Sequence, residues 1–361
     1  MQKKLLAIAV GATMVAAPMF AQADVKLKGQ VQVGLANTDG GQTIGDASSV
    51  IDSNTRQGDY NGRSRIVLDA SKDLGNGLKA IGRYAFNLNP SDGGYGDGPA
   101  AQLNPLRARD QYVGLAGGWG AAVAGRLPTP YKMNGGVKWD PYVATFMQAR
   151  GQGGMSSSAL GHNSFVNDVL AYVMPELAGI NATFAYVASD DQDSGVDSGT
   201  YTIGATGKWG PVEVIGAWTT AKFAGEDADN VEQGKLGIRY KGNGLTAAWQ
   251  YEAVDSGGKL AVNGQKVGFG ESTAALGEGD FNFLNLGYKF GNTLIAGNYG
   301  KFSADSDAAG DTDYAALGVT YFFDKKVRVY GGWSMTDVDQ VADFGNSSKY
   351  DTWGAGLRYD F

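Results

Sequence analysis

Tyr350-Asp-Thr-Trp-Gly-Ala-Gly-Leu-Arg-Tyr-Asp-Phe361 is the stretch that decides how this chain is read. Trp353, Ala355, Leu357, Tyr359 and Phe361 share one parity, and Thr352, Gly354, Gly356, Arg358 and Asp360 share the other. Successive side chains of a strand point to opposite faces, so the stretch predicts one apolar and one polar face. Its length also suits a tilted strand across a bilayer, which takes about 9–11 residues. A soluble sheet produces the same alternation. The fold therefore turns on whether the pattern recurs until a barrel closes.

It recurs. Compact turns stand at Asp73-Leu-Gly-Asn-Gly77, Gly117-Gly-Trp-Gly120, Pro175-Glu-Leu-Ala-Gly179, Trp209-Gly-Pro211, Lys241-Gly-Asn-Gly244, Gly291-Asn292 and Asp324-Lys325. Gly and Asn supply the positive φ angles that tight hairpins need. Longer polar connections lie near 36–62, 88–106, 127–163, 188–199, 221–232, 253–280, 302–312 and 336–349. Seven short and eight long connections join sixteen strands. Short turns on one rim and long loops on the other predict an all-β, transmembrane antiparallel β-barrel.

Composition supports this. The first 23 residues read as a secretory leader, with Lys3 and Lys4 before the apolar Leu5 to Phe20 and Ala21-Gln22-Ala23 as the cleavage site. Residues 24–361 are then one barrel domain. The formal net charge is −7, and losing two lysines with the leader makes it more negative still, a poor balance for binding nucleic acid. After residue 23 no run is long and apolar enough for a membrane helix. There is no cysteine, so neither disulfides nor thiolate metal sites can hold the chain together. No cofactor is implied. Fifty-six glycines fit many tight turns and close wall packing.

The strands carry the expected dyad. Leu236, Ile238 and Tyr240 oppose Lys235, Gly237, Arg239 and Lys241, and Ala315, Leu317, Val319, Tyr321 and Phe323 share one face. Apolar faces would meet outer-membrane lipid, and polar faces a wet lumen. Trp209, Tyr240, Tyr288, Phe290, Tyr321, Phe323, Tyr359 and Phe361 gather beside the short turns as an aromatic girdle would. Sixteen strands enclose an aqueous channel rather than a packed core. Asn292 to Phe302 reads in either parity. Gly120 to Leu127, with Gly114 before it, offers mostly Ala and Gly, which suits close contact between subunits or marks a weak strand.

Several pieces together resemble the general (nonspecific) porins of Gram-negative outer membranes, of the beta- and gammaproteobacterial type. They are Val25-Lys-Leu-Lys-Gly29, Ser64-Arg-Ile66, Lys72-Asp-Leu-Gly-Asn-Gly-Leu-Lys-Ala80, Gln111-Tyr-Val-Gly-Leu115, Gly125-Arg126 with Thr129-Pro-Tyr131, and the closing Gly-Leu-Arg-Tyr-Asp-Phe. The resemblance implies a homotrimer that passes small hydrophilic solutes passively, and an assembly machinery that reads the terminal Phe361. It also implies that the third loop, here Leu127 to Asn163, folds into the lumen and narrows it. In such pores loop acids oppose a basic wall. The matching wall candidates are Arg63, Arg65, Arg83, Arg107 and Arg109, with Lys26 and Lys28, and the loop contributes Asp140 with Lys138 beside it. Phe165 and Ala171 stand where relatives often carry arginine, and Asp69 where lysine is common, so the basic side is thinner than usual.

Other functions find less support in the sequence. His162-Asn163-Ser164 has the spacing of barrel phospholipases, but no third orienting group can be placed. Asp190-Asp-Gln-Asp193 with Asp197, and Asp305-Ser-Asp307 with Asp311 and Asp313, lack the bidentate Glu of a calcium loop. They read as solvated loops facing the medium, with divalent bridging to lipopolysaccharide as the alternative. A selective sugar or organic-acid channel would line its path with inward aromatics, and no clean run of them is legible.

Overall fold

The computed structural model describes residues 24–41, 54–58, 64–88, 106–156, 161–162, 165–188, 199–221, 231–255, 278–305, 311–339 and 348–361. The leader, Arg63, Ser164 and the Asp190–Asp197 acids lie outside them. The first strands are β1 (Asp24–Gly41), β2 (Asn54–Gly58), β3 (Arg65–Gly75), β4 (Leu78–Leu88), β5 (Leu106–Gly117) and β6 (Gly120–Pro128). After the third loop come β7 (Phe165–Val173), β8 (Ile180–Val187), β9 (Tyr201–Trp209), β10 (Val212–Ala221), β11 (Val231–Gly242) and β12 (Leu245–Asp255). The last are β13 (Gly279–Phe290), β14 (Thr293–Ala304), β15 (Thr312–Phe322), β16 (Val327–Val338) and β17 (Ser348–Asp360).

These seventeen segments make a closed barrel of sixteen staves. Gly34 to Thr38 of β1 pair with β2, and Asp24 to Gln30 of the same edge pair with β3, so β2 and β3 are two pieces of one stave. Ser64 stands just before β3. Its hydroxyl accepts from the Gln32 amide (2.8 Å) and donates to the Gln32 carbonyl (3.1 Å), tying the start of β3 to β1. All pairings are antiparallel, and β17 returns to β1 in unbroken register from Gln30↔Asp360 to Gly41↔Lys349. Through the β1–β17 pairing the described strands close on themselves, which is what lipid requires of a spanning sheet.

The dyad sets the two faces. Leu357, Tyr359, Val319, Leu317, Leu286 and Ile238 are exposed on the outer face, as are all eight girdle aromatics. The girdle residues pair two apart on one strand, with centroids 6.4 Å apart for Tyr288–Phe290, 5.2 Å for Tyr321–Phe323 and 6.1 Å for Tyr359–Phe361. At the β11–β12 turn, Asn243 and Gly244 both take positive φ (51° and 81°), as a two-residue hairpin in a twisted sheet demands.

β14 settles its parity as Ile295 and Tyr299 outward and Ala296, Asn298, Gly300 and Phe302 inward. The ambiguity arose because this strand buries an aromatic residue on its inner face. On β5 and β6, Val113, Leu115 and Ala122 are exposed, whereas Gly114 lies across from Val123, whose Cγ1 a Cβ there would meet at 2.6 Å. Gly114 therefore belongs to the inner packing and not to a smooth outer patch.

The terminal residue is part of the seam. Gly29 donates to the Phe361 carbonyl (3.1 Å) and Phe361 donates to the Gly29 carbonyl (3.0 Å). A Cβ at Gly29 would lie 2.2 Å from the Phe361 ring and 2.7 Å from the Arg65 carbonyl. Gly29→Val should displace that ring and cost about 1–3 kcal/mol, as overpacking does. The check is the temperature at which the purified barrel loses its anomalous gel mobility. It should fall clearly below that of the unaltered chain.

Candidate functional site

The inner face carries two kinds of surface, and the segment after β6 divides them. Thr129 caps a short helix, α1 (Pro130–Met133), by accepting from the Lys132 amide, and Pro130 sits at its first turn, where no amide is needed. A 3₁₀ turn follows at Gly136–Lys138, and a second short helix, α2 (Ala149–Gln152), ends on Gly153 at φ 93°. From β6 to Ser156 the segment meets one wall after another. Asn134 accepts from Thr206 of β9 (2.5 Å), and Trp139 donates to Glu213 of β10 (2.7 Å). The Gly136 amide donates to Gln250 and the Tyr131 hydroxyl to Glu252, both on β12, at 2.6 and 2.8 Å. Tyr142 reaches the carbonyls of Ala296 and Gly318, and Tyr314 donates to the Met147 carbonyl. Thr336 of β16 donates to the Gln152 carbonyl (2.8 Å), and Gln32 of β1 to Ala144 (2.5 Å).

Packing reinforces these bonds. Tyr142, Phe146, Met147 and Met155 are buried with Phe283, Tyr314 and Tyr330 of the wall. Trp139 packs on Ile215 and Ala248. Each buried anchor supplies roughly 1.5–3 kcal/mol, while ordering costs about 1–2 kcal/mol per residue. A segment this long is therefore held only by many fastenings, which is what is observed. The inward aromatics Phe281, Phe283, Phe302 and Tyr314 were not legible as such. The available signal was their shared parity with Asn285 and Asn298, which marks an inner face that is covered.

Asp140 is one of the fastenings. It is 4 % exposed and accepts from the amides of Tyr142 (2.8 Å) and Ala149 (2.9 Å) and from the Asn298 side chain (2.9 Å). Asn285 in turn donates to Asn298 (2.8 Å). Burial pushes the Asp140 carboxyl above the usual range, against the pull of its three donors. Lys138 is exposed, and its carbonyl accepts from Arg239 (3.3 Å), which also pairs with Glu213 (2.7 Å). The structure thus brings Asp140 to β14 and Lys138 to β11, apart from the arginines.

The arginines gather on the facing wall. Lys28, Asp69, Arg83, Asp110 and Arg109 form a chain of ion pairs across β1, β3, β4 and β5, at 2.9, 2.6, 3.0 and 3.3 Å in turn. Asp69 thus bridges two cations where a further lysine would have repelled them. Arg109 also donates to Asn87 (2.9 Å), whose register partner is the exposed Arg107. Arg65 interacts electrostatically with Arg109 and Arg358 and with the acids Asp110 and Asp360. Arg358 pairs with Asp360 (2.7 Å), and Arg328 completes that group. Phe165 lies beneath two cations, with Arg109 Cζ 4.7 Å and Lys132 Nζ 4.1 Å from its ring centroid.

His162 has no place in this row. It is fully buried, 2.8 Å from Lys235 and 3.1 Å from the Ser156 hydroxyl. Asp311 and Asp313 sit 3.5 and 3.9 Å from the Lys301 ammonium. Among the described residues no group of His, Asp or Glu is placed to hold a metal ion.

A family model described as Gram-negative porin matches residues 6–341. The chain belongs to the Gram-negative porins. It is an outer-membrane channel rather than an enzyme. A major outer membrane protein P.IB of Neisseria meningitidis serogroup B is 26 % identical over the whole of both chains. An outer membrane porin protein of Bordetella pertussis is 26 % identical over all of this chain and 91 % of its own length. Among solved structures, the fold is shared with an anion-selective porin from Comamonas acidovorans (TM-score 0.69, 19 % identity, 94 % of this chain and 100 % of that one). It is also shared with OmpF of Salmonella typhi (TM-score 0.68, 14 % identity, 93 % and 97 %).

In this porin, Asp140→Ala should strip three donors of their acceptor, each a loss of about 1–3 kcal/mol. Limited trypsin digestion of the folded barrel should then cut after Arg150, now 9 % exposed, where the parent resists.

Proposed function

We propose that this porin is a general diffusion channel whose third loop folds into the lumen and narrows it against the arginine-bearing wall. The observation that carries the reading is the division of the inner face. The loop is fastened along β9 to β16 and bonds Gln32 of β1, while Arg65, Arg83, Arg107 and Arg109 stand on β3 to β5. Small hydrophilic solutes and ions then pass between a loop surface and a charged wall. Arg63 is assigned to the same wall by its place in the sequence. Lys138 is the exposed cation of the loop. Asp140 contributes through the loop's shape, since its carboxylate is spent on internal donors. Asp140 is the one acid of the sequence between 127 and 163, so the loop sets no exposed carboxylate of its own against the arginines.

The wider assembly follows from the same reading. Residues 1–23 direct export and are removed, leaving 24–361 as the single barrel domain. The chain assembles as a homotrimer in the outer membrane, with lipid and lipopolysaccharide against its apolar face. Phe361, locked to Gly29 at the seam, is what the barrel-assembly machinery reads.

Reversal potential under a salt gradient tests the throat. Arg65→Ala and Arg109→Ala should each shift preference toward cations by roughly two- to five-fold. A unit charge some 6 Å from an ion path in wet surroundings is worth about 0.5–1 kcal/mol. Replacing 136–147 by a short Gly-Ser link should raise single-channel conductance. Unchanged potentials and unchanged conductance would remove both the throat assignment and the inward loop.

A further inference from the structure

We propose that five buried side chains, Tyr131, Ser156, His162, Lys235 and Glu252, form a positioning clasp that holds both ends of the third loop and thereby fixes the width of the channel. The proposal rests on the loop constriction put forward above.

Lys235 on β11 and Glu252 on β12 are register partners on the inner face. In a wet lumen both would be hydrated, yet here they are 5 % and 0 % exposed. The loop has covered them and taken over their hydration. One Glu252 oxygen accepts from Tyr131, near the start of the loop (2.8 Å), and from Ser156, near its end (2.6 Å). The other accepts from Gln250 (2.9 Å), which also receives the Gly136 amide (2.6 Å). A single carboxylate therefore ties two loop segments far apart in sequence to one strand.

His162 completes the clasp, and its partners fix its proton. The Lys235 ammonium, a donor only, lies 2.8 Å from Nε2, so that nitrogen accepts. The proton is then on Nδ1, which donates to the Ser156 carbonyl (2.8 Å). Lys235 also sits 4.3 Å over the Tyr131 ring, and the His162 and Tyr131 rings are 5.5 Å apart. Arg150 donates to the His162 carbonyl (2.6 Å). A Cβ at Gly136 would come within 2.1 Å of His162 Nε2, so only glycine lets the loop close over the ring.

Such a clasp responds to charge where an apolar contact would not. Removing one member of a buried pair strands the other without solvent. Acid works in the same direction. Among the described residues the charged groups around His162 are Lys235, Arg150, Lys132 and the acid Glu252. Burial first, then Lys235, holds the docked imidazole well below its ordinary pKa. Released into water it would take a proton near about 6.5. On the His162 side the released loop therefore binds more protons, so this contribution to docking weakens as the pH falls through that value.

Planar-bilayer recordings of the full-length, folded porin test this at about pH 7.5 and about pH 5, either side of the ordinary histidine range. The parent should be steady at the higher pH and show at least about tenfold more conductance transitions at the lower. Glu252→Gln should show that noise already at the higher pH. Lys235→Met combined with Glu252→Gln should restore a steady trace there, and His162→Gln should lose the acid onset. A Glu252→Gln trace as steady as the parent's would overturn the clasp. If that variant yields no heat-modifiable barrel, the parent and His162→Gln decide, and a flat parent profile or an acid onset kept by His162→Gln overturns it. Quiet clasp variants beside a loop-shortened channel of raised conductance would sink the clasp and leave the constriction standing. Unchanged conductance in the shortened channel would sink both.

Discussion

Every backbone amide and carbonyl inside a bilayer must find a partner within the protein, and this constraint organises the chain. It is met by returning β17 to β1, with Gln30 to Gly41 paired in register to Asp360 through Lys349. Once the sheet is closed, each strand is committed to one lipid face and one inner face. A shift of β17 by one residue would turn Leu357 and Tyr359 inward and Arg358 outward. At the start of β3 a side chain joins in, the Ser64 hydroxyl bonding both the amide and the carbonyl of Gln32.

A closed sheet of this size has more inner surface than its side chains can fill, and part of that surface is covered by the segment after β6. The chain spends much of its chemistry there. Tyr131, Trp139 and Tyr142 each combine a buried ring with hydrogen bonding to the wall, which gives a single seating for a long irregular segment. Asp140 organises the loop from within by gathering two of its amides and a wall amide group. The carboxylates that balance the arginines come instead from the wall itself, through Asp69, Asp110 and Asp360. Charge balance in the channel is therefore largely local to β1, β3, β4, β5, β16 and β17.

The strands, their number, the segregated connections and the girdle were legible because each follows from a two-residue period or from turn chemistry. Leu236, Ile238 and Tyr240 against Lys235 and Arg239 needed nothing beyond alternation. What alternation cannot encode is which part of the inner face is covered. Phe281, Phe283 and Phe302 broke the expectation of a polar lumen because a loop from elsewhere in the chain lies over them. For the same reason β14 read in either parity. Asp140 looked like a throat acid because the only acid of a loop invites that role, and its contacts with Asn298 span 158 positions of sequence. Lys235 and Glu252 passed as ordinary lumen charges. Their burial depends on His162 and Tyr131, whose approach no local pattern announces.

The central claim is that the apolar parity meets lipid and the polar parity meets water inside the barrel. The chain has no cysteine, so single cysteines introduced along the last strand report without background. The direct measurement is the reaction rate of a charged, water-soluble thiol reagent with Leu357→Cys, Arg358→Cys, Tyr359→Cys and Asp360→Cys in the membrane-inserted protein. The account predicts alternation, with fast labelling at 358 and 360 and protection at 357 and 359. Equal labelling at all four, or the reverse alternation, would contradict it.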